Sequence, residues 1–156
     1  MTAQGELVVH IVDDEEVLRD SLGFLFASRG IPTRSWPSGE AFLADWPHAD
    51  CGCIILDVRM EGLSGPQVLD VLCQIEGSAE SLPPVIFLTG HADVPLAVQS
   101  LKNGAFDFLE KPFNDNQIVD LALSAMRQHR DRAAESDGRA AIAARSPRRR
   151  SPGARP

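Results

Sequence analysis

Short apolar runs recur along the chain, separated by more polar segments. Three runs are rich in β-branched residues and lie at 6–13, 53–57 and 85–89. Continuous apolar runs of this length are typical of strands buried on both faces of a parallel sheet. Two weaker runs, at 32–36 and 105–109, bring the number of predicted strands to five.

Helical periodicity marks the segments between these runs. Apolar residues recur there at intervals of three or four, as in Leu18, Leu22 and Leu25, in Val68, Leu69, Leu72 and Ile75, and in Val94, Ala97, Val98 and Leu101. A short helix is predicted at 38–46, and the last helix carries one apolar stripe formed by Ile118, Leu121, Ala122, Ala125 and Met126. The alternation of strand and helix predicts an α/β fold, a doubly wound five-stranded parallel sheet with five helices on its two faces.

The apolar periodicity fades after residue 130, and 145–156 is a low-complexity run of Arg, Ser, Pro, Gly and Ala. Such a sequence buries too little apolar surface to offset the entropy lost on ordering. We therefore predict a folded domain over 1–130 and a disordered Arg/Pro/Ser-rich tail over 131–156.

Charge is distributed unevenly along the chain. The net charge is -7, but 131–156 contain seven Arg and three acidic residues, a net +4, so 1–130 carry -11. An acidic domain argues against a nucleic-acid surface and suits a cation or a basic partner. No apolar run approaches the roughly 20 residues of a membrane span, so we expect a cytoplasmic protein without a membrane segment. The cysteines Cys51, Cys53 and Cys73 lack zinc-site spacing and are expected to be buried apolar residues.

Four groups of candidate functional residues lie at or just after the ends of predicted strands: the Asp13-Asp14 pair, Asp57, Thr89 and Lys111. Each has an ordinary structural explanation when taken alone, as a helix cap, a strand end or a solvated loop charge. Together they are expected at the carboxyl edge of one sheet, where open α/β folds bind their ligands.

Three carboxylates at one edge repel each other unless a cation compensates them. Magnesium binds oxygen ligands, so the cluster of Asp13, Asp14 and Asp57 predicts a Mg²⁺ site. A carboxylate such as Asp57 can also act as a nucleophile and form an aspartyl-phosphate. The Lys111 ammonium and the Thr89 hydroxyl would then face the phosphoryl oxygens.

Four motifs surround these residues. They are Val12-Asp13-Asp14-Glu15, Ile55-Leu56-Asp57-Val58-Arg59-Met60 with Gly62 and Ser64-Gly65, Leu88-Thr89-Gly90-His91, and Phe108-Leu109-Glu110-Lys111-Pro112-Phe113. With them the chain resembles the receiver domains of bacterial two-component response regulators, closest to the FixJ-like branch, over about residues 7–128. The resemblance implies a flavodoxin-like fold with strand order 2-1-3-4-5.

The resemblance also implies roles for the site residues. Asp57 matches the phosphoacceptor. Asp14, Asp57 and the backbone carbonyl of Arg59 match ligands of Mg²⁺ or Mn²⁺, and Asp13 acts mainly through a bound water. Lys111 is expected to contact the phosphoryl group and to precede a cis peptide bond to Pro112.

Three further positions have roles by resemblance. Thr89 matches the switch hydroxyl and Phe108 the aromatic that reorients with it, whereas Arg59 and His91 match positions that tune the phosphoryl lifetime. An equally good interpretation is that Arg59 and His91 are solvated residues at the rim of the site.

The function implied is a phosphorylation switch that takes its phosphoryl group from a sensor histidine kinase and catalyses only its own phosphorylation and slow autodephosphorylation. The surface formed by 93–103, 105–109 and the last helix would control a homodimer or an output partner. Residues after the last helix are too few for a DNA-binding output domain. We therefore expect a stand-alone receiver, a truncated regulator, or a product whose output domain has been replaced by the Arg-rich tail, without DNA binding by this chain itself.

Three alternatives share parts of this pattern. A magnesium-dependent phosphohydrolase would carry an acid two residues after its nucleophile, where this chain has Arg59. A nucleotide- or flavin-binding module would place glycines at the first turn, where Asp13, Asp14 and the two following glutamates would repel the phosphate. A receiver-like module that no longer accepts phosphate would not be expected to retain all five site positions.

Overall fold

Five strands and five α-helices alternate along residues 7–145, which the computed structural model describes, with side chains described through residue 134. The strands are β1 (Val8–Val12), β2 (Thr33–Trp36), β3 (Cys51–Asp57), β4 (Val85–Thr89) and β5 (Asp107–Glu110). The helices are α1 (Glu16–Ser28), α2 (Gly39–Ala44), α3 (Gly65–Glu76), α4 (Val94–Lys102) and α5 (Asp115–Arg145). Short 3₁₀ turns at Ala79–Ser81 and His91–Asp93 precede β4 and α4.

All paired strands are parallel and lie in the order β2-β1-β3-β4-β5, which confirms the expected doubly wound, flavodoxin-like topology. Each face of the sheet carries its own apolar core because successive strand side chains point to opposite sides. Ile55 of β3 packs in the core with residues of α1 and α5, whereas Ile54 packs in the core with residues of α2 and α3. Since the strands are parallel, their carboxyl ends all reach one edge of the sheet. No helix within 7–145 is both long and apolar enough to cross a membrane.

Local sequence signals define the helix ends. Ser64 caps α3 by accepting from the Gln67 amide, and the Gln67 side chain accepts from the Ser64 amide in return. Asn114 and Gln117 form the same reciprocal pair at the start of α5. Gly104, between α4 and β5, has a positive φ of 115° that favours glycine.

The last helix is longer than expected. We predicted disorder from residue 131, but α5 continues to Arg145. The loss of apolar periodicity therefore does not mark the end of the helix. Residues 131–145 include six alanines, the residue with the highest helix propensity. The part of the predicted tail after 145 lies outside the described residues, and its disorder stays a prediction.

The substitution Gly104→Ala is expected to destabilise the protein more than Gly30→Ala. Both glycines have a positive φ, but an added methyl group at Gly104 would overlap the Cβ atom of Ala79, whereas at Gly30 nothing lies within 4 Å. We expect a loss of about 1–2 kcal/mol at Gly30 from backbone strain and about 2–4 kcal/mol at Gly104. Urea unfolding curves measure both. Equal losses would contradict the close approach of Gly104 to Ala79.

Candidate functional site

Residues from four strand ends converge at the carboxyl edge of the sheet. Asp57 and Thr89 are the last residues of β3 and β4, and Asp13 and Lys111 directly follow β1 and β5. These four strands are adjacent in the sheet. The edge expected from the sequence is therefore present, with the candidate residues on neighbouring strands.

Three carboxylates form a compact cluster at this edge. Asp13, Asp14 and Asp57 each contribute one oxygen, and these oxygens lie within 4.8 Å of one another. Asp13 is fully buried, Asp57 is 5% exposed and Asp14 is exposed. The cluster also contacts the loop after β3, because Asp14 Oδ2 accepts a 3.0 Å hydrogen bond from the Glu61 amide.

Lys111 is in direct contact with the cluster. Its Nζ atom donates a 3.0 Å hydrogen bond to Asp57 Oδ1, and its backbone amide donates to the Thr89 carbonyl at 2.8 Å. The cis peptide bond between Lys111 and Pro112, expected from the resemblance, is present. The backbone pairing of β5 with β4 thus delivers the ammonium group to the acidic edge.

The cluster carries more negative charge than one ammonium group balances. Burial, with repulsion from Asp13, raises the pKa of Asp57 to about 6 despite the hydrogen bond from Lys111. Burial also raises the pKa of Asp13, against the hydrogen bond donated by the Glu15 amide. For Lys111 burial acts to lower the pKa, but its pairing with Asp57 raises it overall. The raised carboxyl pKa values indicate that nearby positive charge does not fully compensate the ionised forms of Asp13 and Asp57.

The cluster fits a hard divalent cation. Among the side chains that the structure describes, Asp13 Oδ2 is the buried polar atom without a hydrogen-bond partner. An orphaned buried oxygen is costly unless something binds it. Carboxylate oxygens are the ligands that Mg²⁺ prefers, so Asp13, Asp14 and Asp57 are suited to hold such an ion.

Three other residues singled out in the sequence are near the edge but not on the cluster. Thr89 is fully buried, and its Oγ1 donates to the Gly90 carbonyl at 3.0 Å rather than to Asp57. His91 is exposed and its Nδ1 pairs with Glu110 Oε2 at 2.8 Å, so the structure does not bring it onto Asp57. Phe108 is half-buried in β5.

The loop after β3 has partners that the sequence did not predict. The Arg59 guanidinium forms a bidentate pair with Asp93, at 2.8 and 2.7 Å. Glu40 of α2 accepts from the Leu63 amide at 3.0 Å. From the sequence alone, Asp93 is recognisable only as an acidic residue that precedes a predicted helix. The resulting open cleft is lined by Asp14, Glu15, Asp57, Arg59, Glu61, Gly90, Asp93 and Lys111.

Comparison with known proteins assigns the fold and its acidic edge to one family. The model of the response regulator receiver domain matches residues 9–123. The chain belongs to the response regulator receiver family. Receiver domains act in two-component signalling through phosphorylation, and they generally bind Mg²⁺ at an acidic pocket such as this one.

Individual relatives place this receiver near the FixJ branch. It is 72% identical over 138 residues to the C4-dicarboxylate transport transcriptional regulatory protein DctR of Rhodobacter capsulatus, covering 88% of this chain and 68% of DctR. It is 40% identical over 155 residues to the transcriptional regulatory protein FixJ of Bradyrhizobium diazoefficiens, covering 96% of this chain and 72% of FixJ. The receiver thus corresponds to part of each relative.

Solved structures agree with the described fold. Full-length FixJ from B. japonicum superposes with a TM-score of 0.75 at 39% identity, covering 90% of this chain and 67% of FixJ. A receiver domain protein from Clostridium thermocellum superposes with a TM-score of 0.72 at 25% identity, covering 80% of this chain and 97% of that structure.

Without divalent cations, the stability of this receiver is expected to fall, relative to Asp57→Asn, as the pH rises from about 4 to about 6. Folded Asp57 has a pKa of about 6, above the ordinary value of 3.8. The folded state therefore binds the proton more tightly, and the stability present below pH 4 is lost as the pH passes 6. With solvent screening allowed for, we expect about 1–2 kcal/mol over this window.

Urea unfolding of both proteins from pH 4 to 7 measures this change. Asp45→Asn removes an exposed carboxylate outside the cleft and provides a control for the loss of one negative charge. The raised pKa would be contradicted if the difference in unfolding free energy between the parent and Asp57→Asn stayed constant with pH. It would also be contradicted if the parent gained stability relative to Asp57→Asn as the pH rose.

Proposed function

We propose that this receiver is a phosphorylation switch in which Asp57 accepts a phosphoryl group from the phosphohistidine of a sensor histidine kinase. The observation that carries the proposal is the position of the Asp57 carboxylate, in contact with Lys111 Nζ at 3.0 Å and beside Asp13 and Asp14. The open cleft gives a phosphodonor access to this carboxylate. Membership of the receiver family and similarity to DctR and FixJ support the same assignment.

In the transfer step, an Asp57 oxygen forms a bond to phosphorus as the bond between phosphorus and the imidazole nitrogen breaks. The electron pair of that bond remains on the imidazole nitrogen. The kinase histidine leaves as neutral imidazole because its other ring nitrogen is protonated in the phosphohistidine that reacts. Lys111 is positioned to neutralise phosphoryl oxygens, since its ammonium already contacts the acceptor carboxylate. At pH 7 Asp57, with a pKa of about 6, is mostly in the anionic form that attacks.

The cation would be held by Asp13, Asp14 and Asp57, together with the backbone carbonyl of Arg59, and Mg²⁺ or Mn²⁺ suits this oxygen set. When bound, it supplies charge neutralisation to the transferring phosphoryl group. The orphaned Asp13 Oδ2 and the raised carboxyl pKa values support this assignment. The same arrangement would let this receiver catalyse its own phosphorylation from small donors and its slow dephosphorylation.

The conformational response would begin at Thr89. Its hydroxyl donates to the neighbouring Gly90 carbonyl, and a phosphoryl group on Asp57 offers a stronger, charged acceptor. Movement of Thr89 toward that group would shift the loop after β4 and allow half-buried Phe108 to turn inward.

The α4-β5-α5 surface is the proposed output surface. Three apolar side chains are exposed there, Leu96 and Val98 of α4 and Leu123 of α5. A change in this surface would control a homodimer or an output partner. Since DctR and FixJ are named transcriptional regulatory proteins, the pathway that we propose leads to control of transcription.

Phosphorylation at Asp57 is expected to be observed directly. Incubation with acetyl phosphate and Mg²⁺ should add one phosphoryl group to the parent and none to Asp57→Asn, because the amide is not a nucleophile of comparable strength. Intact mass spectrometry measures the gain. The control Asp45→Asn removes an exposed carboxylate outside the cleft and should be labelled like the parent. Labelling of Asp57→Asn equal to that of the parent would refute the assignment of the acceptor.

Removal of one carboxylate should weaken cation binding without unfolding the protein. Mg²⁺ is expected to stabilise the parent by about 1–3 kcal/mol when its free concentration is ten to a hundred times its Kd. Asp14→Asn should lose most of this gain, because exposed Asp14 contributes a ligand oxygen but little to the core. Thermal unfolding with and without Mg²⁺ measures the effect. An unchanged Mg²⁺ response in Asp14→Asn would place the cation elsewhere.

A further inference from the structure

A bidentate ion pair joins the loop after β3 to the start of α4. Arg59 Nε donates to Asp93 Oδ2 at 2.8 Å, and Arg59 Nη2 donates to Asp93 Oδ1 at 2.7 Å. Two parallel charge-assisted hydrogen bonds fix the orientation of the guanidinium as well as its distance. Both residues line the cleft that contains Asp57 and Lys111.

The two partners depend on the pair unequally. The Asp93 side chain is 9% exposed, whereas the Arg59 side chain is 77% exposed. A carboxylate this buried needs a partner, whereas an exposed guanidinium is solvated without one. Asp93 occupies the N-cap position of α4, yet its side chain makes no capping hydrogen bond. Its carboxylate is turned to Arg59 instead.

The cleft is short of positive charge. Its lining contains two cations, Arg59 and Lys111, and five acids, Asp14, Glu15, Asp57, Glu61 and Asp93. A phosphoryl group brings three further strong acceptor oxygens to this space. The guanidinium fork matches phosphate oxygens as well as it matches a carboxylate. Two acceptors would then compete for one exposed arginine, placed two residues after the phosphorylated aspartate.

Given the function proposed above, on which this step rests, we propose that Asp93 is a positioning residue that competes with the phosphoryl group on Asp57 for Arg59. In the unphosphorylated receiver Asp93 holds the guanidinium. After phosphorylation Arg59 turns to the phosphoryl oxygens, and the Asp93 carboxylate remains at the amide end of α4, where the helix dipole favours a negative charge.

A double-mutant cycle with beryllofluoride and Mg²⁺, a tetrahedral mimic of the phosphoryl group, tests the competition at equilibrium. Asp93→Asn should tighten beryllofluoride binding about three- to tenfold, because it removes the charged acceptor that competes for the Arg59 guanidinium. In the Arg59→Ala background, the same Asp93 change should alter the affinity by less than about 1.5-fold. Asp93→Glu, which keeps the carboxylate, should return the affinity toward that of the parent.

Glu61→Gln is the matched control, because Glu61 lines the same cleft but its side chain is not paired with Arg59 in the described contacts. It removes one negative charge and should change the affinity by the same factor in both backgrounds. If Asp93→Asn also gives equal factors in the two backgrounds, the competition is refuted while the phosphoacceptor function stands. If the folded parent binds no beryllofluoride, the phosphoacceptor function fails and the competition fails with it.

Discussion

Mutual repulsion among three carboxylates is the constraint around which this site is built. The oxygens of Asp13, Asp14 and Asp57 lie within 4.8 Å of one another, and two of the three side chains are almost entirely buried. One ammonium group, from Lys111, contacts this cluster but does not restore ordinary carboxyl pKa values. The carboxyl edge of the sheet therefore favours binding of a cation or of a ligand that carries one. This requirement connects cation binding to phosphoryl transfer in the proposed function.

The parallel sheet creates the constraint. Strands β1, β3, β4 and β5 are adjacent and parallel, so residues far apart in the chain arrive at one edge. The apolar strands below them exclude water, because β3 is buried along its whole length. Burial is the largest cause of the raised pKa of Asp57. The stability of the core and the reactivity of the site thus depend on the same packing.

Much of this arrangement could be predicted from the sequence. Buried parallel strands appear as continuous apolar runs, and the residues at or just after the end of each run lie at the carboxyl edge. In this way Asp57, Thr89 and Lys111 could be placed together. Side-chain pairings across the site could not be predicted, because they depend on loop conformation. The pairing of Arg59 with Asp93, and of His91 with Glu110, joins residues separated by 34 and 19 positions.

Two other features escaped prediction for different physical reasons. His10 stands in the middle of an apolar run and is fully buried, where Trp36 Nε1 donates to its Nδ1 and Asp50 pairs with its Nε2. Hydropathy alone carries no information on such partners. The extension of α5 to Arg145 reflects helix propensity without an apolar stripe, a case in which periodicity underestimates helix length.

The most direct test of the central constraint is the titration of the Asp57 carboxyl carbon by ¹³C NMR, without and with saturating Mg²⁺. We expect a pKa of about 6 for Asp57 without the cation. When Mg²⁺ is bound, this pKa should fall below the ordinary value for aspartate, because the cation stabilises the ionised form. An ordinary pKa in the absence of Mg²⁺, unchanged when Mg²⁺ is added, would contradict the proposed repulsion among the three carboxylates.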